Sequence, residues 1–360
     1  MQTTESMVLH EPGRLEPETF DVPDVSDYGA LLEVETTSVC GSDIGIYKGK
    51  SPFDSFPLLL GHEVAGRIVD GAEETLERWG LEVGDRVMPE PYIPCFDCQD
   101  CQRGHYHMCD ENRSYGVTLS ATEPPHLWGG YGEYMYLDPD SRLHPISDDV
   151  SGRAACLGSV IGNGVRWILR KGDVSPGDSV AIVGPGAQGL ASTIVAAEAG
   201  ADPVVVLGLE QDDTKLDLAA DIGATETLYS DQDNIAERAL EPTDGEGFDV
   251  VVVTAPASPA IQLGIDLVRP RGTAVLVGLT GSETSVELDR IVVDEISVLG
   301  GRGQALDVER AMAILERNAD DVERINSHVF PVSEAETAIK RQLPGDAFDP
   351  EIVHAALSPE

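Results

Sequence analysis

Four cysteines lie within one short stretch of this 360-residue chain, at Cys95, Cys98, Cys101 and Cys109. Cysteines at such spacings supply thiolates that form a tetrahedral cage for Zn²⁺, and four thiolates complete its coordination shell. The stretch that holds them is irregular, is bounded by glycine and proline, and has few apolar side chains to pack. The sequence therefore predicts a structural zinc site that organises a loop without a core of its own.

A second set of zinc-type ligands lies upstream. Cys40 stands apart from the cluster, and His62 and Glu63 follow Gly61. Thiolate and imidazole suit zinc, and a more open site keeps a coordination position for a substrate oxygen. Two zinc sites of different character predict a metalloenzyme with one structural ion and one working ion.

The composition is strongly acidic. The chain has 64 Asp and Glu residues against 24 Lys and Arg residues, which gives a formal net charge of −40 at pH 7. A field of this sign repels phosphates and argues against nucleic acid and anionic membranes as partners. The acids are dispersed and lysines are few, so we predict a folded protein that works in concentrated salt, the cytosolic protein of a halophile. An ordinary acidic protein is the alternative.

The use of cysteine indicates the compartment. Four of the six cysteines have metal spacing, Cys40 lies in a metal-like context, and Cys156 is left as a small core residue. Cysteine used for metal is typical of a reducing compartment. Residues 1–13 are polar and do not resemble a signal peptide, and no apolar run reaches the roughly 18 residues of a membrane span. We therefore expect a cytoplasmic protein.

The pattern of expected strands and helices changes near residue 152. The part before it is rich in strands and loops, whereas apolar strands alternate with helices after it. The strands of this second part are expected at 179–183, 204–207, 249–254, 273–279 and 296–299. Such alternation predicts an α/β fold with a buried parallel sheet, and the length suits about two domains.

A glycine-rich loop follows the first strand of the second part. The run Gly184-Pro185-Gly186-Ala187-Gln188-Gly189 fits the G-x-G-x-x-G pattern and stands between an apolar strand and a helix. The glycines let the backbone turn tightly and approach a pyrophosphate, which rests on the helix N-terminus. We predict that a dinucleotide is bound by Gly184, Gly186, Ala187, Gln188 and Gly189.

The end of the second strand bears on the choice between NAD and NADP. An acid that binds the adenosine ribose is expected about 20 residues after the glycine loop. The strand ends instead at Gly208, with Glu210 two residues further on and Lys215 beyond it. The absence of an acid at Gly208 permits a 2′-phosphate, but no arginine is near and the neighbouring acids repel one. This pattern favours NAD and leaves NADP open; Lys215 contacts either cofactor or only solvent.

These motifs, in this order, resemble the zinc-dependent medium-chain dehydrogenases of the alcohol, polyol and threonine dehydrogenase group. The resemblance covers nearly the whole chain. It implies a GroES-like, β-rich catalytic domain built from residues 1–152 and 302–360, with a doubly wound, parallel-sheet Rossmann domain at 153–301 between them. It also implies a homodimer or homotetramer.

The resemblance assigns roles to the residues around Cys40 and His62. Both match the ligands of the family's catalytic zinc, and Glu63 matches a carboxylate that can ligate the metal directly. Asp43 matches the acid that orients the histidine ligand, and Ser42 matches the hydroxyl that passes on the alcohol proton. The cysteine cluster matches the family's structural zinc lobe in full.

Two positions depart from the family pattern. Ser159 stands where the third protein ligand, a Cys or Glu, is expected, and Gly45 stands where many members keep a histidine of the proton relay. A neutral hydroxyl is a poor zinc ligand, so the site either uses Cys40, His62, Glu63 and water, or binds zinc weakly. The relay then ends at water or at the cofactor ribose.

The resemblance also places three residues at the nicotinamide end of the cofactor, namely Asn163, Val277 and Arg302. Strand packing and surface exposure are the alternative roles of the last two. The aromatic residues Tyr47, Phe53 and Trp128 line either a substrate pocket or the core.

The function predicted from these observations is hydride transfer between an alcohol and NAD(P) by a zinc-dependent oxidoreductase. A sugar or polyol dehydrogenase is the alternative within the enzyme class, because Glu63 offers the carboxylate ligand that such sites tolerate. From another class, a nucleotide-binding relative without a working zinc is kept open by Ser159 and Gly45.

Overall fold

The structure is a computed structural model that describes residues 2–50 and 55–359. Backbone contacts divide the chain into two compact units. One comprises Met1–Ser159 with Leu315–Glu360, and the other comprises Val160–Ile314.

The amino-terminal part is mostly β-structure. Its strands are β1 (Thr3–Glu11), β2 (Arg14–Asp21), β3 (Ala30–Ser38), β4 (Leu58–Leu59), β5 (Val64–Gly71), β6 (Arg86–Pro89), β7 (Tyr92–Ile93), β8 (Arg113–Ser114), β9 (Tyr134–Leu137) and β10 (Leu143–Pro145). Its helices are short: α1 (Gly41–Tyr47), α2 (Glu73–Trp79), α3 (Gln99–Gln102) and α4 (Gly152–Ala155), with a 3₁₀ turn at Tyr106–Met108.

The middle part alternates strands with helices. Its strands are β11 (Val180–Val183), β12 (Val204–Gly208), β13 (Glu226–Tyr229), β14 (Phe248–Val253), β15 (Val268–Leu276) and β16 (Ser297–Gly300). Its helices are α5 (Gly158–Gly164), a π-helix at Val165–Lys171, α6 (Ala187–Glu198), α7 (Asp213–Asp221), α8 (Ile235–Ala239), α9 (Ser258–Leu267), α10 (Leu288–Val293) and α11 (Val308–Arg317). Single 3₁₀ turns lie at Glu210–Asp212 and Glu241–Thr243.

The six strands of the middle part form one parallel sheet in the order β13-β12-β11-β14-β15-β16. The central strands β11, β12 and β14 are valine-rich and almost wholly buried, as a sheet covered on both faces requires. Chain order reverses between β11 and β14, so the loops after these two strands meet at one edge. The predicted α/β fold with a parallel Rossmann sheet is confirmed.

The last part of the chain returns to the first unit with α12 (Ala319–Ile325), β17 (His328–Pro331), a 3₁₀ turn at Val332–Glu334, α13 (Ala335–Arg341) and β18 (Ala355–Ser358). β18 pairs antiparallel with β3 and completes a sheet in the order β10-β6-β5-β3-β18-β17, with β9 also paired to β3. Strands β2-β1-β4 and β7-β8 form two smaller sheets. Among the described residues, no helix has the length and apolar composition to cross a membrane.

Candidate metal and cofactor sites

The four clustered cysteines lie between β7 and β8, and the structure brings their sulfur atoms together. The four Sγ atoms lie within 4.8 Å of one another. Cys98 begins α3, where its Sγ accepts a hydrogen bond from the backbone N–H of Cys101 at 3.5 Å. Hydrogen bonds from the backbone N–H groups of Asp110 and Cys101 lower the pKa of the Cys98 thiol to about 7. Four sulfur atoms that converge in this way fit a structural Zn²⁺.

The cysteine loop is fastened to the neighbouring sheet by a buried acid. Glu90 is 1% exposed, and its carboxylate accepts a hydrogen bond of 2.6 Å from the hydroxyl of Tyr106, which lies between Cys101 and Cys109. Nε2 of His144 lies 2.8 Å from the other carboxylate oxygen. These two contacts with one buried carboxylate fix the loop relative to β6 and β10.

The second group of metal-type ligands comes from two chain segments. Cys40 follows β3 and begins α1, whereas His62 and Glu63 directly precede β5. β3 and β5 are antiparallel neighbours, so their ends bring these residues side by side. One ligand atom of each of the three residues lies within 4.8 Å of the other two. A thiol, an imidazole and a carboxylate at this separation fit Zn²⁺ with room for a fourth ligand.

Asp43 contacts the Nδ1 side of the His62 ring, opposite the nitrogen that would bind the metal. This fully buried residue places Oδ1 3.3 Å from Nδ1 of His62. Its Oδ2 accepts hydrogen bonds from the backbone N–H of Cys40 at 3.0 Å and from the hydroxyl of Tyr131 at 3.3 Å. A carboxylate on Nδ1 leaves Nε2 free to bind a metal, and Oγ of Ser42 lies 3.2 Å from that nitrogen. Tyr131 was not singled out from the sequence.

The electrostatics of this group suit a cation. Burial raises the pKa of Glu63 to about 7 and raises the pKa of Cys40. Burial opposes a charge on His62, but Asp43 and Cys40 raise its pKa well above the usual range. Acidic groups are therefore crowded into a dry site, where a bound divalent cation would offset their repulsion.

The structure also shows the surroundings of Ser159 and Cys156, the residues considered for the third ligand position. Ser159 is buried near the start of α5. Cys156 is engaged elsewhere: its sulfur lies 3.2 Å from Oγ of Ser38 and 3.3 Å from Nδ2 of Asn326. Burial raises the pKa of Cys156 to about 12, which keeps it a neutral thiol. The predicted core role of Cys156 accords with these contacts.

A residue that the sequence did not single out reaches the same site. Nε2 of His354 lies 3.4 Å from Oε2 of Glu63, and both side chains are buried. His354 directly precedes β18, which lies more than 300 residues from β3 along the chain but pairs with it in the sheet. Only the pairing of these strands reveals the contact, so no local pattern could have predicted it.

The aromatic residues considered for a substrate pocket pack in the core where they are described. The hydroxyl of Tyr47 donates a 2.7 Å hydrogen bond to Glu336, and Trp128 packs edge-on against Tyr136 with ring centroids 5.1 Å apart. Phe53 lies outside the described residues.

The glycine loop has the geometry that its pattern predicts. Gly184 has φ +113°, and a Cβ there would lie 2.6 Å from Oγ1 of Thr254, which donates a hydrogen bond to the Gly184 carbonyl. A Cβ on Gly189 would lie 1.9 Å from the same carbonyl, so α6 packs closely on β11. Gly186 begins α6, and a Cβ there would meet nothing within 4 Å. Its open side leaves space for a phosphate beside the first N–H groups of α6, those of Ala187 and Gln188.

A steric constraint explains the glycine at the end of β12. A Cβ on Gly208 would lie 2.7 Å from Cγ of Pro185 in the glycine loop. An acid therefore has no room at this position. Glu210 lies in the following turn, where its backbone N–H donates a hydrogen bond to Asp231 at 3.2 Å. Lys215 is bound by Asp212 at 2.8 Å.

Asn163 is joined to the glycine loop. Its Nδ2 donates a 3.1 Å hydrogen bond to Oε1 of Gln188, and its Oδ1 accepts one of 2.9 Å from the backbone N–H of Gln304. Val277 directly follows β15, and a Cβ on Gly301 would meet its Cγ1 at 2.4 Å. The carbonyl of Arg302 accepts a hydrogen bond from Nε1 of Trp167 at 3.2 Å.

Comparison with known proteins identifies the family. Residues 26–148 match the alcohol dehydrogenase GroES-like domain family, and residues 188–317 match the zinc-binding dehydrogenase family. The chain is 36% identical over 305 residues to the "probable alcohol dehydrogenase" of Mycobacterium tuberculosis, with 83% of each chain covered. It is 31% identical to the sorbitol dehydrogenase of Halalkalibacterium halodurans, with 94% of this chain and 95% of that protein covered.

A solved structure shares the whole fold. The crystal structure of an alcohol dehydrogenase from Thermotoga maritima superposes with a TM-score of 0.90 at 25% identity, with 100% of both chains covered. The chain therefore belongs to the zinc-dependent medium-chain dehydrogenase family and is an oxidoreductase of the alcohol dehydrogenase type that uses NAD(P).

Proposed function

We propose that the chain oxidises an alcohol at a zinc ion held by Cys40, His62 and Glu63, with water or the weak ligand Ser159 completing the shell. The observation that carries the proposal is the approach of three ligand atoms to within 4.8 Å in an acid-rich site, where Glu63 is buried and Cys40 and His62 are half-buried. The clustered cysteines Cys95, Cys98, Cys101 and Cys109 hold the structural zinc. The unit Met1–Ser159 with Leu315–Glu360 is the catalytic domain, and Val160–Ile314 binds the dinucleotide.

Each side chain around the zinc proposed at Cys40, His62 and Glu63 has its own role. When bound, zinc supplies a Lewis acid that makes an alcohol more acidic, and NAD(P) supplies the hydride acceptor. Asp43 fixes the ring of His62. Ser42 Oγ, 3.2 Å from Nε2 of that ring, would take the alcohol proton while passing its own proton on to water or to the cofactor ribose. In the other unit, Gly184, Gly186 and Gly189 let the backbone approach the pyrophosphate, and Asn163, Val277 and Arg302 face the nicotinamide.

NAD is the proposed cofactor rather than NADP. Glu210, Asp212, Asp213 and Asp231 gather after β12 and β13, where a 2′-phosphate would have to be accommodated. The nearby amine of Lys215 is already bound to Asp212 at 2.8 Å. Glu210 is the proposed acceptor for the ribose hydroxyls, since a carboxylate favours hydroxyls and repels phosphate.

A homodimer is proposed through the outer edge of the parallel sheet. Strand β16 is exposed along its length, and the adjacent α10 exposes Val292 at 75% and Val293 at 78%. An unpaired strand edge beside apolar side chains is an aggregation hazard unless it is covered, and a second copy covers both. Sedimentation of the wild type and of a Val292→Asp, Val293→Asp variant tests this: the dimer should dissociate in the variant.

We propose a cytoplasmic protein of a halophile. The net charge of −40 supports this, because concentrated salt removes the repulsion among dispersed acids. The metal-type use of cysteine supports a reducing compartment.

A polyol or sugar is the second candidate substrate. The 31% identity to a sorbitol dehydrogenase over 94% of this chain favours it, together with the carboxylate of Glu63 at the metal site. A nucleotide-binding relative without turnover is the alternative from another class, and it rests on Ser159 and Gly45.

The experiment is a panel of short alcohols, polyols and aldoses, each with NAD and with NADP, in concentrated salt. The wild type should reduce NAD with at least one class of substrate, and Cys40→Ser and His62→Ala should lose most of that activity. Variants that kept full activity would refute the zinc mechanism. Cofactor binding without turnover on any substrate would favour the nucleotide-binding alternative.

A further inference from the structure

His354 stands behind Glu63 on the side of the C-terminal strand. His354 is 4% exposed and Glu63 is 2% exposed, and Nε2 of His354 lies at an ion-pair distance of 3.4 Å from Oε2 of Glu63. Among the described residues, no hydrogen bond is made to this oxygen. His354 is neither a proposed zinc ligand nor part of the proposed proton relay.

The pairing of β18 with β3 positions His354 beside Glu63. Ala356 pairs with Ser38 in the antiparallel register of β18 and β3, and the backbone N–H of Val39 donates a 2.9 Å hydrogen bond to the carbonyl of Ala355. Continuing this register places His354 opposite Cys40. The hydroxyl of Ser327 donates a hydrogen bond of 3.4 Å to the carbonyl of His354 and ties this segment to β17.

We propose that His354 is a positioning residue for the working zinc site: its ring lies against the carboxylate of Glu63 and fixes the orientation in which that carboxylate meets the metal. This inference rests on the proposed zinc site at Cys40, His62 and Glu63. A carboxylate has two oxygens, and partners that orient metal ligands contribute strongly to metal affinity. Zinc binding depends strongly on Glu63 in this site, because Ser159 stands where the family has a stronger third ligand.

The test compares His354→Ala and His354→Leu, which remove the imidazole beside Glu63, with His354→Gln, which keeps a polar N–H group there. His328→Ala is the matched control, since His328 lies on the adjacent β17 and contacts Ser327 at 2.9 Å. Each protein is titrated with Zn²⁺ against a chelator, and its visible spectrum is recorded after Co²⁺ replaces Zn²⁺. Thermal unfolding shows that each variant folds, and the leucine variant fills the volume should the alanine variant not fold.

We expect the alanine and leucine variants to bind the second zinc about 10- to 100-fold more weakly and to show an altered Co²⁺ spectrum. The glutamine variant should recover part of the affinity, and His328→Ala should match the wild type. Wild-type zinc affinity in the leucine variant, or an equal loss in His328→Ala, would overturn the role of His354. A wild type that binds only the structural zinc would instead refute the proposed metal site itself.

Discussion

Oδ1 of Asp43 lies 3.3 Å from Nδ1 of His62, and the carboxylate of Asp43 is fully buried. The other oxygen of Asp43 is held by the Cys40 backbone and by Tyr131. One acid thus connects two proposed zinc ligands, Cys40 through its backbone and His62 through its ring. The geometry of the site depends on Asp43 as much as on the ligands themselves.

Replacing Asp43 by Asn should weaken zinc binding at this site by about 10- to 100-fold, because the ring of His62 loses its charged partner. Tyr131→Phe removes only one hydrogen bond to Asp43 and should have a smaller effect. Chelator competition measures both affinities. Equal zinc affinity in Asp43→Asn and the wild type would show that Asp43 does not orient the ligand.

Gly208→Ala should destabilise the protein by about 1–3 kcal/mol, because the new methyl group would lie 2.7 Å from Pro185. Chemical denaturation measures the loss. Pro185→Ala removes the obstructing ring, so the double variant should recover most of the stability lost in Gly208→Ala. Additive losses in the double variant would contradict the steric explanation for glycine at this position.

Asp212→Ala should raise kcat/KM for NADP relative to NAD, because it releases the amine of Lys215 from its 2.8 Å ion pair. Asp213→Ala is the control: it removes the same charge, but its residue contacts Tyr229 and not Lys215. Steady-state kinetics with both cofactors give the ratio. An equal change in both variants would assign the effect to net charge alone.

The midpoint of thermal unfolding should rise as KCl increases from about 0.1 M to about 1 M, since the Debye length falls from about 10 Å to about 3 Å. The net charge of −40 provides the repulsion that screening removes. Calorimetry measures the shift. A midpoint that is independent of salt would favour the ordinary acidic protein.

The parallel sheet and the convergence of the four clustered cysteines could be predicted from the sequence. The strand before Gly184 is a continuous apolar run, and the cysteine spacing constrains the loop whatever surrounds it. In these cases, residues that are close in the chain carry the whole signal.

The remaining features depend on contacts between distant segments. His354 reaches Glu63 only because β18 pairs with β3, and Gly208 is required only because Pro185 packs over the end of β12. The sequence showed the missing acid at Gly208 but not its cause. Without the register of the strands, neither contact has a local sequence signal.

The most direct test of the account is the zinc content of the wild type and of Cys40→Ser, purified in concentrated salt without chelator. We expect about two zinc ions per wild-type chain, one in the cysteine cage and one at the working site, and about one in Cys40→Ser. About one zinc ion in both proteins would contradict the proposed working site, because only the cysteine cage would then hold metal.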